Sequence, residues 1–468
     1  MKEASGTKPR PGTTIDLPVS TLAFGGQGIG RLDDFVVFVD GAVPGDLARV
    51  VLTKVKRRFA EARLVELLEP SPDRLPALCP HFGGCGGCRW QSLAYPVQLK
   101  YKEQQVRDSL ERLGDIHDFE LLPICGMDDP WRYRNKVEFS VGKGSDGATL
   151  VGFHPPGRWD TVLPLDDCRL LPETMETVRA VTQAWLVETG MQPWEPRTLS
   201  GVVQHLTIRQ AYGTGEVLAA LTTTAAGLPQ AATLADRLSS AVPGLVGLVH
   251  ITHPAPQDHA TPPGSRTIWG RPHLFEDLHG LRLKISLDAF FQTNTRMTQV
   301  LYEIAAATAG LARGETVWDL YSGIGSIGLY LARVAQAKVL GVEIVPSAVQ
   351  DATENAALNG LAESATFLQG DARVMLKELL EGRRRPAPGL ERPDVIVVDP
   401  PRAGLAQKVV ARVAAAAPAR IVYVSCNPST LAPNAAQLRD LGYRLTRVTP
   451  VDMFPHTPHI AAVALLER

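Results

Sequence analysis

The chain has 468 residues, 45% of them hydrophobic and 21% charged, with a formal net charge of −1. That length exceeds a single core, so about two to four domains are expected. Near neutrality excludes a uniformly basic nucleic-acid binder and leaves only local patches, and no apolar run reaches the roughly 18–20 residues of a membrane span. The N-terminus, "MKEASGTKPRPGTT", lacks the apolar stretch of a signal peptide and reads as a frayed tail, which implies a cytoplasmic chain with no membrane partner. Six cysteines in such a chain argue for metal binding or catalysis rather than a disulfide framework.

From residue 15 to 69, short β-rich runs alternate with glycine turns, the pattern of a compact β-barrel. "SPDRLP" (71–76) then reads as a linker. Residues 77–285 mix a helical stretch at about 93–113, carrying Leu99, Gln105, Leu110 and Leu113, with strand-like pieces such as "KVEFSVG" and "VVQHLTIRQA", an α+β region. Two basic clusters stand out: Lys54, Lys56, Arg57 and Arg58, then Arg132, Arg134 and Lys136 in "WRYRNK". Each is a solvated surface or a nucleic-acid contact. From about 286, apolar strands alternate with helices: "TVWDLYSGIGS", "AKVLGVEIV", "ATFLQGD", "DVIVVDPP", "ARIVYVSC". That alternation predicts a doubly wound parallel α/β sheet.

"CPHFGGCGGC" clusters Cys79, Cys85 and Cys88 among glycines that let the backbone wrap around sulfur. A fourth thiol must come from elsewhere, with Cys168 the better candidate and Cys125 the weaker. Four thiolates can hold zinc or an iron–sulfur cluster, and the spacing alone leaves both open.

"DLYSGIGS" sets Asp319, Gly323 and Gly325 at the turn from the first strand of the α/β region into its first helix. Glu343 ends the second strand, where a carboxylate can accept from ribose hydroxyls, and Asp371 ends the third. So many acids would repel a pyrophosphate, and the full Gly-x-Gly-x-x-Gly is absent. S-adenosylmethionine (SAM), with a ribose, an adenine and a cationic sulfonium, suits the crevice better than NAD. Asp399 in "VVDPPRAG" ends the fourth strand. An Asp-Pro-Pro loop also serves enzymes that methylate amino groups of bases, in which case Cys426 would be a bystander. Methylating C5 of uracil demands more, because that carbon is a poor nucleophile until a thiolate adds to C6. Cys426 in "VSCNP", at the mouth of the fifth strand, is placed for that.

"DPPRAG", "VYVSCNPSTLA" and "DMFPHTPH", in this order and spacing, resemble the RNA 5-methyluridine methyltransferases that carry a TRAM domain, and the resemblance covers nearly the whole chain. It implies three parts: an oligonucleotide-binding-type TRAM barrel at 12–70 that grips RNA, a central α+β domain at 75–285 whose 93–113 helix can pack on the catalytic domain, and a Rossmann-like SAM methyltransferase domain at 286–468. "FFQTN" (290–294) matches the family's glutamine between cofactor and base, Gln292. The same matching gives Tyr321, Ser326, Glu343, Asp371 and Asp399 cofactor contacts, beside the loop glycines Gly323 and Gly325, and makes Cys426 the nucleophile. It implies a [4Fe–4S] cluster on Cys79, Cys85, Cys88 and Cys168, with zinc as the alternative, in a structural or RNA-positioning role.

One departure matters. The family's general base is a glutamate two residues after the second histidine of "FPHTxH", and here that position is Ala461. Glu467 lies roughly 20 Å further along the strand, at about 3.3 Å per residue, too far to substitute. Three outcomes compete: a trapped covalent adduct, a different proton acceptor (His456, His459 or a water on Asp399), or an RNA-binding or RNA-folding factor that has lost turnover. A slowed version of an active design ranks first. The target uridine must be unstacked, in a loop or flipped out. The expected partner is large-subunit (23S) rRNA, with tRNA second, and the chain is expected to be a monomer.

Overall fold

The computed structural model describes residues 10–33, 35–225, 227–255 and 264–468. Most of the tail predicted to fray lies outside them. The chain divides into two compact units, one formed by the residues up to Gln105 with Phe454–His459, the other by Val106–Met453 with Ile460–Arg468.

In the first unit, strands β1 (Thr14–Leu22), β2 (Gly28–Leu32), β3 (Phe35–Asp40), β4 (Leu47–Val55) and β5 (Phe59–Glu69) close into a barrel in the order β1-β2-β3-β5-β4. Alternate residues point inward, and Leu17, Val19, Val37, Val39, Val50 and Leu52 fill the interior. The predicted linker is not loose. Buried Asp46 accepts from Ser71 N–H at 2.9 Å and takes both arms of Arg74 at 2.8 Å, so "SPDRLP" is strapped to the barrel. Helix α1 (Tyr95–Leu113) follows; its N-terminal half fastens the Phe454–His459 loop, with Gln98 Oε1 accepting from His456 N–H at 3.0 Å and Lys102 Nζ donating to the Phe454 carbonyl at 3.0 Å.

The second unit carries two large sheets. After β6 (Glu120–Leu121), strands β7 (Lys136–Lys143) and β8 (Thr149–Gly152), helix α2 (Glu173–Thr189), strands β9 (Val203–Gln210) and β10 (Val217–Thr223), helix α3 (Ala231–Ala241), and strands β11 (Leu245–Thr252) and β12 (Gly264–Gly270) build a sheet ordered β12-β11-β10-β9-β7-β8. Both helices pack into its core through Met175, Val178, Trp185, Leu234 and Leu238. A hairpin, β13 (His273–Leu278) and β14 (Leu281–Ser286), leads to α4 (Thr295–Ala309).

The α/β alternation then runs β15 (Thr316–Leu320), α5 (Ser326–Ala335), β16 (Lys338–Glu343), α6 (Pro346–Leu358), β17 (Ala365–Gln369), α7 (Ala372–Leu380), β18 (Val395–Val398), α8 (Gln407–Ala415), β19 (Arg420–Ser425), α9 (Pro428–Asp440), β20 (Arg444–Val451) and β21 (Ala461–Glu467). The sheet order is β17-β16-β15-β18-β19-β21-β20-β6. Its first five strands are parallel, as predicted, and near-continuously apolar because helices cover both faces. Two features depart from the expectation. Strand β21 inserts antiparallel between β19 and β20, and β6 joins the far edge from the region read as the central domain. Val106 and Leu110 of α1 belong to the core cluster of this sheet.

Candidate active site

The crevice opens at the carboxyl ends of β15, β16 and β18, where a doubly wound sheet reverses its strand order and ligands bind. Gln292, Tyr321, Gly323, Ser326 and Asp399 line it together with Asp319 and Tyr302. Its enclosed part is small, about 20 Å³.

The turn after β15 is held by many bonds. Gly323 and Gly325 take φ of +53° and +79°, which glycine adopts without strain. Tyr321 also sits at φ +65°, a conformation that costs a non-glycine residue and persists only where the surroundings enforce it. The enforcement is visible: Tyr321 N–H and Ser322 N–H both donate to the Val342 carbonyl, and Gly323 N–H donates to Glu343 Oε2 at 3.0 Å. Glu343 Oε1 accepts from Ile344 and Val345 N–H, so its carboxylate is fixed at the rim with lone pairs to spare. Ser326, first in α5, shares a 2.6 Å hydrogen bond with buried Tyr302. Buried Asp319 accepts from Gly328 N–H at 3.0 Å and ties the helix to its strand. Asp371 caps α7 by accepting from Val374 N–H, which gives it a structural duty beside any ligand contact.

Gln292 Nε2 donates to Asp399 Oδ2 at 3.1 Å. Burial pushes the Asp399 carboxyl up to about 7, against the pull of that hydrogen bond. Asp319 is likewise pushed up to about 7, by burial first, with Asp399 and Glu343 adding to it. Two acids poised near neutrality in a crevice are the environment in which protons move.

Cys426 directly follows β19. Asn427 caps α9 by accepting from Ser429 N–H at 3.1 Å and donates Nδ2 to the Arg402 carbonyl, while Pro428 opens the helix. The thiol is therefore aimed by a rigid turn. It is not held as thiolate: burial raises it, Asp399 adds to the rise, and only Arg402 among nearby charges opposes them. The β19–β21 ladder ends on the pair Ser425–Ala462. Cys426 and Ala461 are the residues next in sequence to that last pair, so the thiol leaves the ladder where β21 begins. Ala461 is buried, paired on its other side with Val451.

The remaining cysteines are locally ordered. Cys79 N–H donates to Gln91, Cys85 N–H to the His81 carbonyl, and Gly87 N–H approaches Cys85 Sγ at 3.4 Å, a contact suited to an electron-rich sulfur. Cys168 N–H donates to Glu176, and its side chain packs against the central core. Cys125 is partly buried between β-bridged residues, and burial pushes its thiol up. Among the described residues, no three His, Cys, Asp or Glu side chains are drawn together as a metal site. The donor chemistry fits a thiolate-bound centre; the gathered geometry is not seen. Of the basic clusters, Lys56, Arg57 and Arg58 are exposed at the β4–β5 turn, but Arg132 is locked on Asp167 by two bonds of 2.7 and 2.9 Å.

Asn135 escaped the sequence reading. Its Nδ2 donates to the Gln292 carbonyl and to Thr295 Oγ1, both at 2.8 Å, so a buried residue of the central sheet fixes the glutamine of the crevice. Exposed Phe290 at the mouth was also passed over, although an uncovered aromatic beside a predicted ligand-facing glutamine is a legible signal.

A family model described as tRNA (uracil-5-)-methyltransferase matches residues 279–468, and a TRAM domain model matches residues 8–65. An uncharacterized RNA methyltransferase of Halalkalibacterium halodurans is 37% identical, with 97% of this chain and 96% of that protein covered. One of Chlorobaculum tepidum is 37% identical over 98% and 97%. The crystal structure of Pyrococcus abyssi tRNA (uracil-54, C5)-methyltransferase with S-adenosyl-L-homocysteine superposes with a TM-score of 0.74 at 26% identity, covering 97% of this chain and all of that one. No helix among the described residues is long and apolar enough to cross a membrane. With relatives matched nearly end to end, and both parts of the architecture matched in order, the chain belongs to the TRAM-domain RNA (uracil-5-)-methyltransferase family.

Proposed function

We propose that this protein methylates C5 of a uridine in RNA through a covalent bond between Cys426 Sγ and C6 of the base. The observation that carries the reading is the rigid turn presenting Cys426 beside the Asp399 crevice, with residue 461 adjoining the last pair of the β19–β21 ladder. SAM would supply an electrophilic methyl group, with Gln292, Tyr321, Gly323, Gly325, Ser326, Glu343, Asp371 and Asp399 as its contacts. Addition of the thiolate to C6 would move the C5–C6 electron pair into an enolate, and C5 would then take the methyl group from the sulfonium, whose broken S–CH3 bond leaves its electron pair on S-adenosylhomocysteine. A base must then remove the C5 proton so that the electron pair reforms C5=C6 and expels the sulfur. Alanine at 461 cannot do so, and the adduct is expected to be long-lived.

The 12–70 barrel and the 75–285 region hold the RNA, and residues 286–468 carry the chemistry. Cys79, Cys85, Cys88 and Cys168 would hold a [4Fe–4S] cluster or zinc as a structural element. Large-subunit rRNA is the preferred substrate, since a large structured RNA suits two accessory domains; tRNA, which the name of the Pyrococcus abyssi enzyme gives as its substrate, is the alternative. The chain is read as a cytoplasmic monomer.

Incubating the protein with methyl-labelled SAM and unmodified rRNA or tRNA transcripts tests the reading. Label should enter 5-methyluridine, and a slowly migrating protein–RNA band should survive denaturation and vanish in Cys426→Ala. Label in an amino-methylated base, or an unchanged band in Cys426→Ala, would refute C5 chemistry. A binding-only protein would incorporate nothing.

A further inference from the structure

A cavity more spacious than the SAM crevice lies in the central sheet, about 550 Å³ in volume, within the range of small-molecule sites. The end of β7 (Ser140–Lys143) forms its floor, and two loops, at 154–162 and 192–201, form its walls. The loops are tied together: Asp160 takes Arg158 Nε at 2.9 Å and Arg197 Nη2 at 3.3 Å, and Arg197 stacks over the Trp159 ring at 4.8 Å. Trp159 nevertheless stays 54% exposed, a large apolar surface that Arg197 covers only in part.

The lining chooses among ligands. An isolated phosphate is disfavoured because Asp160 and Glu195 face the space and the arginines beside it are already paired. A metal is disfavoured because, among the described residues, no three His, Cys, Asp or Glu side chains are gathered to hold one. A purely apolar group would leave these polar walls unsatisfied. What remains is a flat heterocycle with donors and acceptors on its edge. Burial, reinforced by His253 and His154 against the pull of Glu138, keeps His205 below its usual value, so a neutral ring lines the wall. Its buried Nδ1 has no partner among the described residues.

We infer that this cavity binds one nucleobase of the substrate RNA, stacked on Trp159, away from the uridine being methylated. The inference rests on the RNA-methylation reading above. Strand β7 links the two places. Asn135, just before its first residue, holds Gln292, and the cavity begins five residues later at Ser140 and ends at Lys143. That is about 17–26 Å along the strand, or about five to eight nucleotides at the stacked rise of about 3.4 Å, fewer if the RNA is extended. A base held there would fix the register of the strand that presents the target.

The test uses the full chain with rRNA and tRNA transcripts substituted with 4-thiouridine or 6-thioguanosine. Irradiation should cross-link RNA to peptides 154–160 or 192–205, and saturating S-adenosylhomocysteine should not abolish those cross-links. Trp159→Ala should raise KM for the transcript roughly five- to hundredfold, the loss of one base stack, with kcat unchanged, and Trp159→Phe should recover most of it. Unchanged KM in Trp159→Ala, with no cross-link to these peptides while methylation proceeds, overturns the inference and leaves the methylation reading intact. Absence of methylation on any transcript refutes that reading instead, and the cross-links still decide whether the cavity takes a base.

Discussion

Ala461→Glu is the most informative substitution in the chain. The β19–β21 register ends on Ser425–Ala462, so residue 461 and Cys426 adjoin the same last pair, and a carboxylate introduced at 461 is placed at the end of the ladder where the proposed adduct would form. A positioned general base contributes about 10²- to 10⁴-fold, or about 3–5 kcal/mol off the barrier for release at about 1.36 kcal/mol per tenfold. The substitution has a structural cost, because Ala461 is only 4% exposed and a longer side chain must displace its neighbours. Overpacking of this kind costs about 1–3 kcal/mol, seen as a melting point lower by several degrees. Burial would also raise the new carboxyl toward neutrality, which favours its use as a base. The assay follows the covalent band by denaturing gel after one turnover is started and excess unlabelled SAM is added. The band should decay at least about a hundredfold faster in Ala461→Glu than in the parent. Ala461→Gln, of similar volume and unable to take the proton, should decay at the parent rate. A folded Ala461→Glu protein that forms the adduct and releases it no faster, or a Gln variant that matches it, would refute the argument.

Two further outcomes follow from the crevice. Asp319 and Asp399 rise from 3.8 toward about 7 on folding, so the folded state holds their protons where the unfolded chain has lost them. Their contribution to stability is complete below about pH 4 and is lost progressively as pH climbs to about 7; thermal melts of the ligand-free protein should fall more steeply between about pH 4 and 7 than those of Asp399→Asn, and parallel curves would show that burial does not raise Asp399. Gly328→Ala should lower the melting point by several degrees and weaken SAM binding, since a Cβ there meets Val339 at 2.8 Å and Asp319 Oδ2 at 2.9 Å; calorimetry of both quantities checks it, and a silent substitution would mean that the start of α5 can yield.

Much of this site was legible because the chemistry sits where local pattern is strongest. Apolar strands ending in glycine, acid or cysteine announce a parallel sheet and its ligand edge together, so Gly323, Glu343, Asp399 and Cys426 could be named from short stretches. What escaped was non-local. Asn135 looks like one more polar residue in "WRYRNK" until the fold brings it to Gln292, 157 positions away. Arg132, read with a basic cluster, finds Asp167 instead. Asp46 turns an apparent linker into a strap, and the two-residue β6 has no periodicity to detect. The antiparallel insertion of β21 is the non-local feature that brings residues 461–462 to the end of β19, since its ladder closes on Ser425–Ala462, the residues adjoining Cys426 and Ala461.

On the proposed covalent route, that placement would give alanine at 461 two effects of the same sign. A glutamate there would add a carboxylate near the sulfur, beside Asp399, which already raises the thiol. A thiolate near a further carboxylate forms less readily. Its absence would therefore ease the step that needs the thiolate, addition to C6, while withdrawing the acceptor for the step that follows methyl transfer. Faster entry and slower exit would both enlarge the share of protein held as adduct. The two effects separate experimentally, since alkylation of Cys426 in the RNA-free protein reports only the first. Ala461→Glu should slow that alkylation at a given pH and move its midpoint upward, even as it speeds release of RNA. A variant that changed release without changing alkylation would mean that residue 461 acts on the C5 proton alone.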